Sequence, residues 1–299
     1  MIDSKRNKKN GPMKAMIFAA GLGTRLKPLT DTMPKALVPI CGQPLLYHVI
    51  TKLVKAGYDQ IVVNVHHFPD QIIDYLKAHD FGVRIDISDE RDFLRETGGG
   101  IRYAKNLLLD YGDGGLFQNR RYATPPKGPL PLMMPRVAQV LEETSIPCEV
   151  NMPFLVHNVD IVSNLDLRWF REQHRPGSMA TLVVSERKTQ RYFLFDEDNR
   201  LRGWTNLATG EVRSPYRDID PEKCCKLAFS GIHLISPEIF DAFERLQMGE
   251  RFSIVDFYLK ACAEYPIYGV VPPDFTMVDV GKKETLSEAE RVSESILRG

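Results

Sequence analysis

The sequence predicts an α/β fold: a Rossmann-like, mixed and mostly parallel sheet flanked by helices. Two observations from the first hundred residues support this class. Short apolar runs, typical of strands buried on both faces, alternate with segments whose apolar residues recur at helical spacing. That alternation is typical of βαβ units, in which consecutive strands are parallel. Ligands of such sheets bind at the carboxyl ends of the strands, so we expect the functional site there.

The first predicted strand covers residues 14–20, an apolar run that stops at Gly21. A helix is predicted next, with Pro44 suited to its first position and Gly57 to its C-terminal cap. The other predicted elements follow the same patterns, with strands at 61–65, 83–87, 153–156, 179–185, 192–196 and 277–280, helices at 69–79 and 236–246, a helix after a glycine turn at 98–100, and a helix at the C-terminus.

The chain is predicted to contain a flexible leader at residues 1–12 and one domain at 13–299. An insertion interrupts this domain at about residues 111–151, where the run P-P-K-G-P-L-P and clusters of Gly, Asn and Arg replace the regular patterns. A short helix is predicted inside it at residues 137–143. We find no internal repeat.

The composition excludes several classes of function. The 299 residues include 39 basic and 39 acidic side chains, so no global field attracts nucleic acid or an anionic membrane. Five cysteines without a C-x-x-C pair fit a reducing compartment, and no apolar run is long enough to span a membrane. We therefore expect a cytoplasmic protein that binds neither nucleic acid nor membrane, and that forms a monomer or a small homo-oligomer.

The segment A-A-G-L-G-T-R-L-K-P-L-T-D-T-M-P-K, at residues 19–35, has the composition of a phosphate-binding loop. Gly21 and Gly23 allow backbone N–H groups to approach a phosphate without a Cβ in the way. Arg25 offers a fork of donors, and Lys35 a compact charge that can follow a leaving pyrophosphate. Neither the Walker A pattern nor G-x-G-x-x-G is present, which disfavours a P-loop or a dinucleotide-binding site.

This segment, extended to A-L-V-P-I, resembles the signature of the sugar-1-phosphate nucleotidyltransferases, also called sugar-nucleotide pyrophosphorylases. Further matching elements follow in the family's order: G-Q-P-L-L, E-T-G-G-G, F-S-G-I-H and V-D-V-G. Together they cover nearly the whole chain from residue 13 onward, except the insertion. Within the family, the pattern is nearest to that of the N-acetylmuramate 1-phosphate uridylyltransferases, which act in cell-wall nucleotide-sugar biosynthesis.

The resemblance implies a GT-A-like nucleotide-diphospho-sugar transferase fold with a smaller sugar-binding β portion. It implies that Asp160 and Asp279 hold Mg²⁺, an ion that prefers carboxylate and phosphate oxygens. It also implies that Arg25, Lys35 and Asp160 are catalytic. The substrates would be a nucleoside triphosphate and a sugar 1-phosphate. Of the nucleotides, UTP is favoured because A-A-G replaces the G-G of many guanylyltransferases.

The resemblance also implies two sets of binding residues. The nucleotide would be bound by Ala19, Ala20, Gly21, Gly23, Thr24, Arg25, Lys35, Glu90, Gly98 and Gly99, with the base lying beside the first three under a turn at the last two. The sugar would be bound by Asn158, Trp204, Asn206 and Gly231. For Trp204, stacking on a sugar and filling the core are equally good interpretations.

Two departures from the family pattern leave alternatives open. Val159 replaces the glycine that precedes the metal-binding aspartate, and Lys282 replaces the threonine that often follows V-D-V-G. One alternative is a GTP-dependent mannose or heptose 1-phosphate guanylyltransferase. The other is a regulator that binds a nucleotide sugar without catalysis, although intact Arg25, Lys35, Asp160 and Asp279 argue against it.

Overall fold

The computed structural model describes residues 12–109, 152–281 and 286–298. The predicted leader, apart from Pro12, the insertion with its predicted helix, and Lys282 lie outside the described residues. Within these ranges the strands are β1 (Lys14–Phe18), β2 (Pro39–Ile40), β3 (Gln43–Pro44), β4 (Gln60–Val65), β5 (Arg84–Asp89), β6 (Phe154–Asn158), β7 (Ile161–Ser163), β8 (Ala180–Ser185), β9 (Arg191–Phe195), β10 (Leu201–Asn206), β11 (Glu211–Arg213), β12 (Cys225–Ile235), β13 (Ile267–Val270) and β14 (Met277–Asp279).

The α-helices lie on both faces of the main sheet. They are α1 (Leu45–Ala56), α2 (Pro69–Ala78), α3 (Glu96–Tyr103), α4 (Lys105–Leu109), α5 (Leu167–Glu172), α6 (Ile239–Arg245), α7 (Ile254–Ala261) and α8 (Leu286–Arg298). Short 3-10 helices occupy Thr24–Leu26, Leu29–Asp31, Lys35–Leu37 and Pro221–Lys223.

A ten-stranded mixed sheet organises the fold, with the path β11-β10-β9-β12-β6-β1-β4-β5 and with β8 joining β12 to β13. Strand β1 pairs in parallel with β4 on one side and β6 on the other, and β4 pairs in parallel with β5. Antiparallel pairing begins at β12, which adjoins β6. The predicted mixed sheet flanked by helices is confirmed, and its parallel part contains the predicted βαβ units.

Alternate side chains of the central strand enter two different cores. Ala15 and Ile17 of β1 belong to a buried cluster with α1, α2 and α5, whereas Met16 belongs to a second cluster with α3, α6 and α7. Successive residues of a strand point to opposite faces, so the sheet is buried on both sides. This double burial explains the continuous apolar runs that predict the strands.

Local sequence signals mark the first helix correctly. Pro44 immediately precedes α1, and Gly57 caps its end in the left-handed conformation, with φ 99°. The prediction of a glycine turn at residues 98–100 is wrong, because α3 begins at Glu96 and includes all three glycines. Several strands have no prediction from the sequence, among them β10 and the eleven-residue β12.

A two-stranded ribbon, formed by β7 and β14, lies outside the main sheet. Its antiparallel register sets Asp279 opposite Ile161 and Met277 opposite Ser163. The ribbon begins immediately after β6, since only Val159 and Asp160 separate β6 from β7. It therefore carries the C-terminal V-D-V-G element back to the end of β6.

Candidate active site

A cleft of about 530 Å³ opens at the carboxyl ends of β1, β4 and β6. The chain places β4 on one side of β1 and, later, β6 on the other, so the strand order reverses at β1. Open α/β sheets bind ligands at such a switch point. The lining residues come from distant parts of the sequence: residues 18–25, Lys35, Asn64, Leu94, Glu96, Thr97, residues 158–160, Ser253 and Gly281. The location predicted from the parallel strands is thus the location of this cleft.

The glycine loop after β1 has two glycines with different roles. Gly23 has φ 64°, and a Cβ there would lie 2.7 Å from Thr30 Cγ2, so both conformation and packing require glycine. The Thr30 hydroxyl donates a 2.8 Å hydrogen bond to the Gly23 carbonyl and holds the turn. Nothing lies within 4 Å of a Cβ at Gly21, which leaves open space on the cleft side of the loop.

Asn64 holds the start of this loop, and sequence reasoning missed it. Its Oδ1 accepts hydrogen bonds from the N–H groups of Ala19, at 2.7 Å, and Ala20, at 3.3 Å. These two N–H groups therefore bond to the protein itself and are not directed at a base. Ala19, Ala20 and Asn64 all still line the cleft.

Glu90 lies behind Asn64 and does not line the cleft. It is fully buried, and its Oε1 accepts a 2.9 Å hydrogen bond from Asn64 Nδ2. Burial raises the pKa of this carboxyl above its usual range, against the opposing effect of the Asn64 hydrogen bond. Glu90 thus orients Asn64, and the expectation that it contacts the nucleotide directly is corrected.

Gly98 and Gly99 also lie behind the cleft. Their N–H groups donate to the Phe252 carbonyl at 2.9 and 3.2 Å, so they do not point into the cleft. A Cβ on either residue would approach the segment 250–252 to less than 3.0 Å. The predicted contact of these glycines with a base is therefore not supported, and at this end the cleft is lined by Glu96, Thr97 and Ser253.

Two cations and two carboxylates gather at the other end of the cleft. Lys35 is 8% exposed, and its ammonium donates to Asp160 Oδ2. A Cβ at Gly281 would lie 2.9 Å from Arg25 Nη2 and 2.5 Å from Asp279 Oδ1, so the Arg25 and Asp279 side chains both lie beside this glycine. Four side chains from three separate parts of the sequence therefore converge here.

The ribbon keeps the two aspartates close together. The Val280 N–H donates a 2.9 Å hydrogen bond to the Asp160 carbonyl, directly beside the pair formed by Asp279 and Ile161. Burial raises the pKa of Asp279, the negative charge of Asp160 raises it further, and Lys35, Arg25 and Arg187 oppose the rise. The negative charges of the two carboxylates are thus close enough to repel one another.

This arrangement fits a cation that takes its remaining ligands from a substrate. Among the described residues, no group of three or more His, Cys, Asp or Glu side chains could form a complete protein site. Mg²⁺ commonly binds through one or two carboxylates plus phosphates and water. Asp160 and Asp279 are the residues that could hold it.

The predicted sugar residues divide into two groups. Asn158, at the end of β6, lines the cleft and packs against Gly231, where a Cβ would lie 2.5 Å from Asn158 Nδ2 and where φ is 72°. Trp204 and Asn206 lie on β10, outside the cleft lining. Trp204 packs against the second core cluster, and the Asn206 side chain accepts the Ala208 N–H in a turn.

Val159 and Arg187 complete this end of the site. Val159 is 4% exposed and packs in the first core cluster while it lines the cleft, so the valine is accommodated without displacing Asp160. Arg187, which sequence reasoning missed, donates a 3.0 Å hydrogen bond to the Phe229 carbonyl, two residues before Gly231.

The part of the chain that the structure describes contains no helix with the length and hydropathy of a membrane span.

Comparison with known proteins agrees with the resemblance in the sequence. Residues 14–117 match the family model described as nucleotidyl transferase. N-acetylmuramate alpha-1-phosphate uridylyltransferase of Caulobacter vibrioides is 48% identical over 109 residues, which are 36% of this chain and 44% of that protein. Mannose-1-phosphate guanyltransferase 2 of Candida glabrata is 26% identical over 236 residues, which are 78% of this chain and 52% of that protein.

The fold comparison covers more of the chain. The structure of a UDP-glucose pyrophosphorylase complexed with UDP-glucose superimposes with a TM-score of 0.64 at 15% identity, over 95% of this chain and 99% of that one. At this identity the likeness shows the fold alone. The chain spans about half the length of the two curated relatives. The predicted resemblance is confirmed: residues 14–117 match the nucleotidyl transferase family model, and sugar-1-phosphate nucleotidyltransferases are among the relatives of the chain.

Proposed function

We propose that this protein transfers a nucleotidyl group from a nucleoside triphosphate to a sugar 1-phosphate and releases pyrophosphate. The observation that carries the proposal is the convergence of Arg25, Lys35, Asp160 and Asp279 at one end of a cleft that begins at a glycine loop. A site that only bound phosphate would need the cations but not two adjacent carboxylates.

The reaction is an in-line displacement at the α-phosphorus. An oxygen of the sugar phosphate forms the new P–O bond, the bond to the bridging oxygen of the β-phosphate breaks, and pyrophosphate leaves with the electron pair. The nucleophile is already an anion near neutral pH, so no general base is needed. Catalysis then consists of positioning and charge stabilisation, for which Arg25 and Lys35 stand beside the loop.

The two aspartates would hold Mg²⁺, which supplies charge neutralisation between the two phosphate groups when it is bound. The raised pKa of Asp279 supports this role, because a nearby divalent cation would relieve its repulsion from Asp160. The positive charge of Lys35 is paired with Asp160. The negative charge of Asp279 would then be balanced by Arg25 and by the bound cation.

We propose UTP as the nucleotide and a sugar 1-phosphate of the N-acetylmuramate type as the acceptor. The 48% identity to a uridylyltransferase over 109 residues supports this choice over a guanylyltransferase, since the mannose-1-phosphate guanylyltransferase catalytic subunit beta of Xenopus tropicalis is 39% identical over 103 residues. A GTP-dependent mannose or heptose 1-phosphate guanylyltransferase is the second candidate, supported by the longer stretch of the chain that the guanylyltransferase match covers.

The proposal is tested by measuring pyrophosphate release with each of the four nucleoside triphosphates against N-acetylmuramate, mannose, heptose and glucose 1-phosphates, with Mg²⁺ present. We expect the fastest release with UTP. Fastest release with GTP would support the guanylyltransferase. A nucleotide or nucleotide sugar that raises the melting temperature, without pyrophosphate release from any pair, would instead support a non-catalytic binding protein.

Two asparagines test which strand binds the sugar. We expect Asn158→Ala to raise the KM for the sugar 1-phosphate by about tenfold, equivalent to the loss of a hydrogen bond of about 1.4 kcal/mol. The matched Asn206→Ala should leave this KM unchanged, since Asn206 lies in a turn outside the cleft. Steady-state kinetics of both variants measure this KM. A larger rise in KM for Asn206→Ala than for Asn158→Ala would contradict the proposal that Asn158 binds the sugar.

A further inference from the structure

Lys52 of α1 forms a polar link between the body of the protein and the ribbon of β7 and β14. Its Nζ donates to the Ser163 carbonyl at 2.5 Å and to the Ser163 Oγ at 3.1 Å. Ser163 is the last residue of β7 and is 5% exposed. Lys52 itself lies outside the cleft lining, so it does not touch a ligand bound there.

Two-stranded ribbons are marginally stable alone, and contacts with the body of the protein hold this one in place. Hydrogen bonds join Asn164 to Thr276 in both directions and Val280 to Asp160. Ile161, Val162 and Val280 pack in the first core cluster, and Lys52 adds a polar contact to this apolar attachment. α1 packs its apolar face into the first core cluster and is therefore a rigid support for Lys52.

The environment of Lys52 argues against a role in overall stability. Burial lowers the pKa of its ammonium to about 8, only partly opposed by Asp166, and the nearby His157 is neutral because burial lowers its pKa to about 4. Among the described residues, no carboxylate oxygen lies within 4.0 Å of the Lys52 ammonium. Burying this charge is therefore unfavourable, so a neutral side chain of similar size removes a cost that offsets the loss of the two hydrogen bonds to Ser163.

We propose that Lys52 is a positioning residue for the cation site: through Ser163 it holds β7 in its pairing with β14, and this pairing sets the separation of Asp160 and Asp279. This inference rests on the proposed function, because it concerns the aspartates assigned to Mg²⁺. Lys52 lies outside the cleft, so it would touch neither the substrate nor the ion. The family resemblance indicates no ligand contact on α1.

The test compares Lys52→Met with Lys55→Met, an exposed lysine on the same helix. Amide hydrogen exchange reports the ribbon directly: exchange of the Val280 and Asn164 amides should become about tenfold faster in Lys52→Met, and should stay unchanged in Lys55→Met. Lys52→Arg, which retains a donor for Ser163, should recover part of the protection. The melting temperature should not fall, which separates a loosened ribbon from general unfolding.

The second measurement is Mn²⁺ binding to the protein in the presence of saturating UTP, whose phosphates supply the remaining ligands, followed by electron paramagnetic resonance, which distinguishes the protein-bound ion from Mn²⁺ bound to UTP in solution. We expect Lys52→Met to weaken Mn²⁺ affinity by about tenfold, as losses of residues behind a metal ligand commonly do. Unchanged amide exchange would overturn the proposal, and so would faster exchange with unchanged Mn²⁺ affinity, or no Mn²⁺ binding by the unaltered protein. Absence of nucleotidyl transfer with every substrate pair would overturn the proposed function while leaving both measurements interpretable.

Discussion

Asp160→Asn should reduce turnover by about a hundredfold or more while the protein stays folded. The substitution keeps the size and shape of the side chain but removes the charge that faces both Lys35 and the neighbouring Asp279. A cation bound by Asp279 alone would be held more weakly, and Lys35 would lose the carboxylate that orients its ammonium. Both changes act on the charge that develops during the displacement. Pyrophosphate release at saturating substrates is the measurement.

The control for this variant is Asp241→Asn, an exposed aspartate on α6 that does not line the cleft. Its turnover should equal that of the unaltered protein. A second possible cause of a loss in Asp160→Asn is a buried Lys35 ammonium without a partner, and the double variant Asp160→Asn/Lys35→Met tests this cause by removing both charges. Recovery of turnover in the double variant, or near-normal turnover in the folded single variant, would contradict the role of Asp160.

The sequence predicts those parts of the site that depend on local patterns. β1, α1 and β4 are visible because double burial makes the strands uniformly apolar and because Pro44 and Gly57 mark the helix ends. Asp160 and Asp279, by contrast, are assigned only by the family resemblance. The 118 residues between them give no sign that an antiparallel ribbon brings them together.

Asn64 escaped prediction because its importance depends on a contact that no local pattern encodes. It is a polar residue within the apolar strand Q-I-V-V-N-V, and its partner Ala19 lies 45 residues earlier in the chain. For Trp204 the sequence leaves sugar stacking and core packing equally open. In the structure β10 lies three strands from β6 in the sheet, and the Trp204 side chain packs against a core cluster.

The turn predicted at the glycines of E-T-G-G-G is absent from the structure for a physical reason. The three glycines are helical, and none of them has a positive φ. Glycine is needed here because another backbone approaches closely. That backbone, at residues 250–252, is about 150 residues away in the sequence, so only the folded structure reveals the constraint.

Gly99→Ala should therefore destabilise the protein by about 2 kcal/mol or more. The new Cβ would lie less than 3.0 Å from the Glu250 carbonyl oxygen, a backbone atom that cannot rotate away as a side chain would. Relief requires α3 and the segment 250–252 to separate, which stretches the hydrogen bonds from Gly98 and Gly99 to Phe252. The higher helix propensity of alanine recovers only about 1 kcal/mol. Urea unfolding measures the difference.

Gly249→Ala is the matched control, since nothing lies within 4 Å of a Cβ at that position, and its free energy of unfolding should change by less than about 0.5 kcal/mol. The same variants separate packing from base recognition. If Gly99 only packs, the ratio of kcat/KM for UTP to that for GTP should be the same in Gly99→Ala as in the unaltered protein. A changed ratio with unchanged stability would mean that the backbone at Gly99 does read the base, and that the segment at residues 250–252 moves away when nucleotide binds.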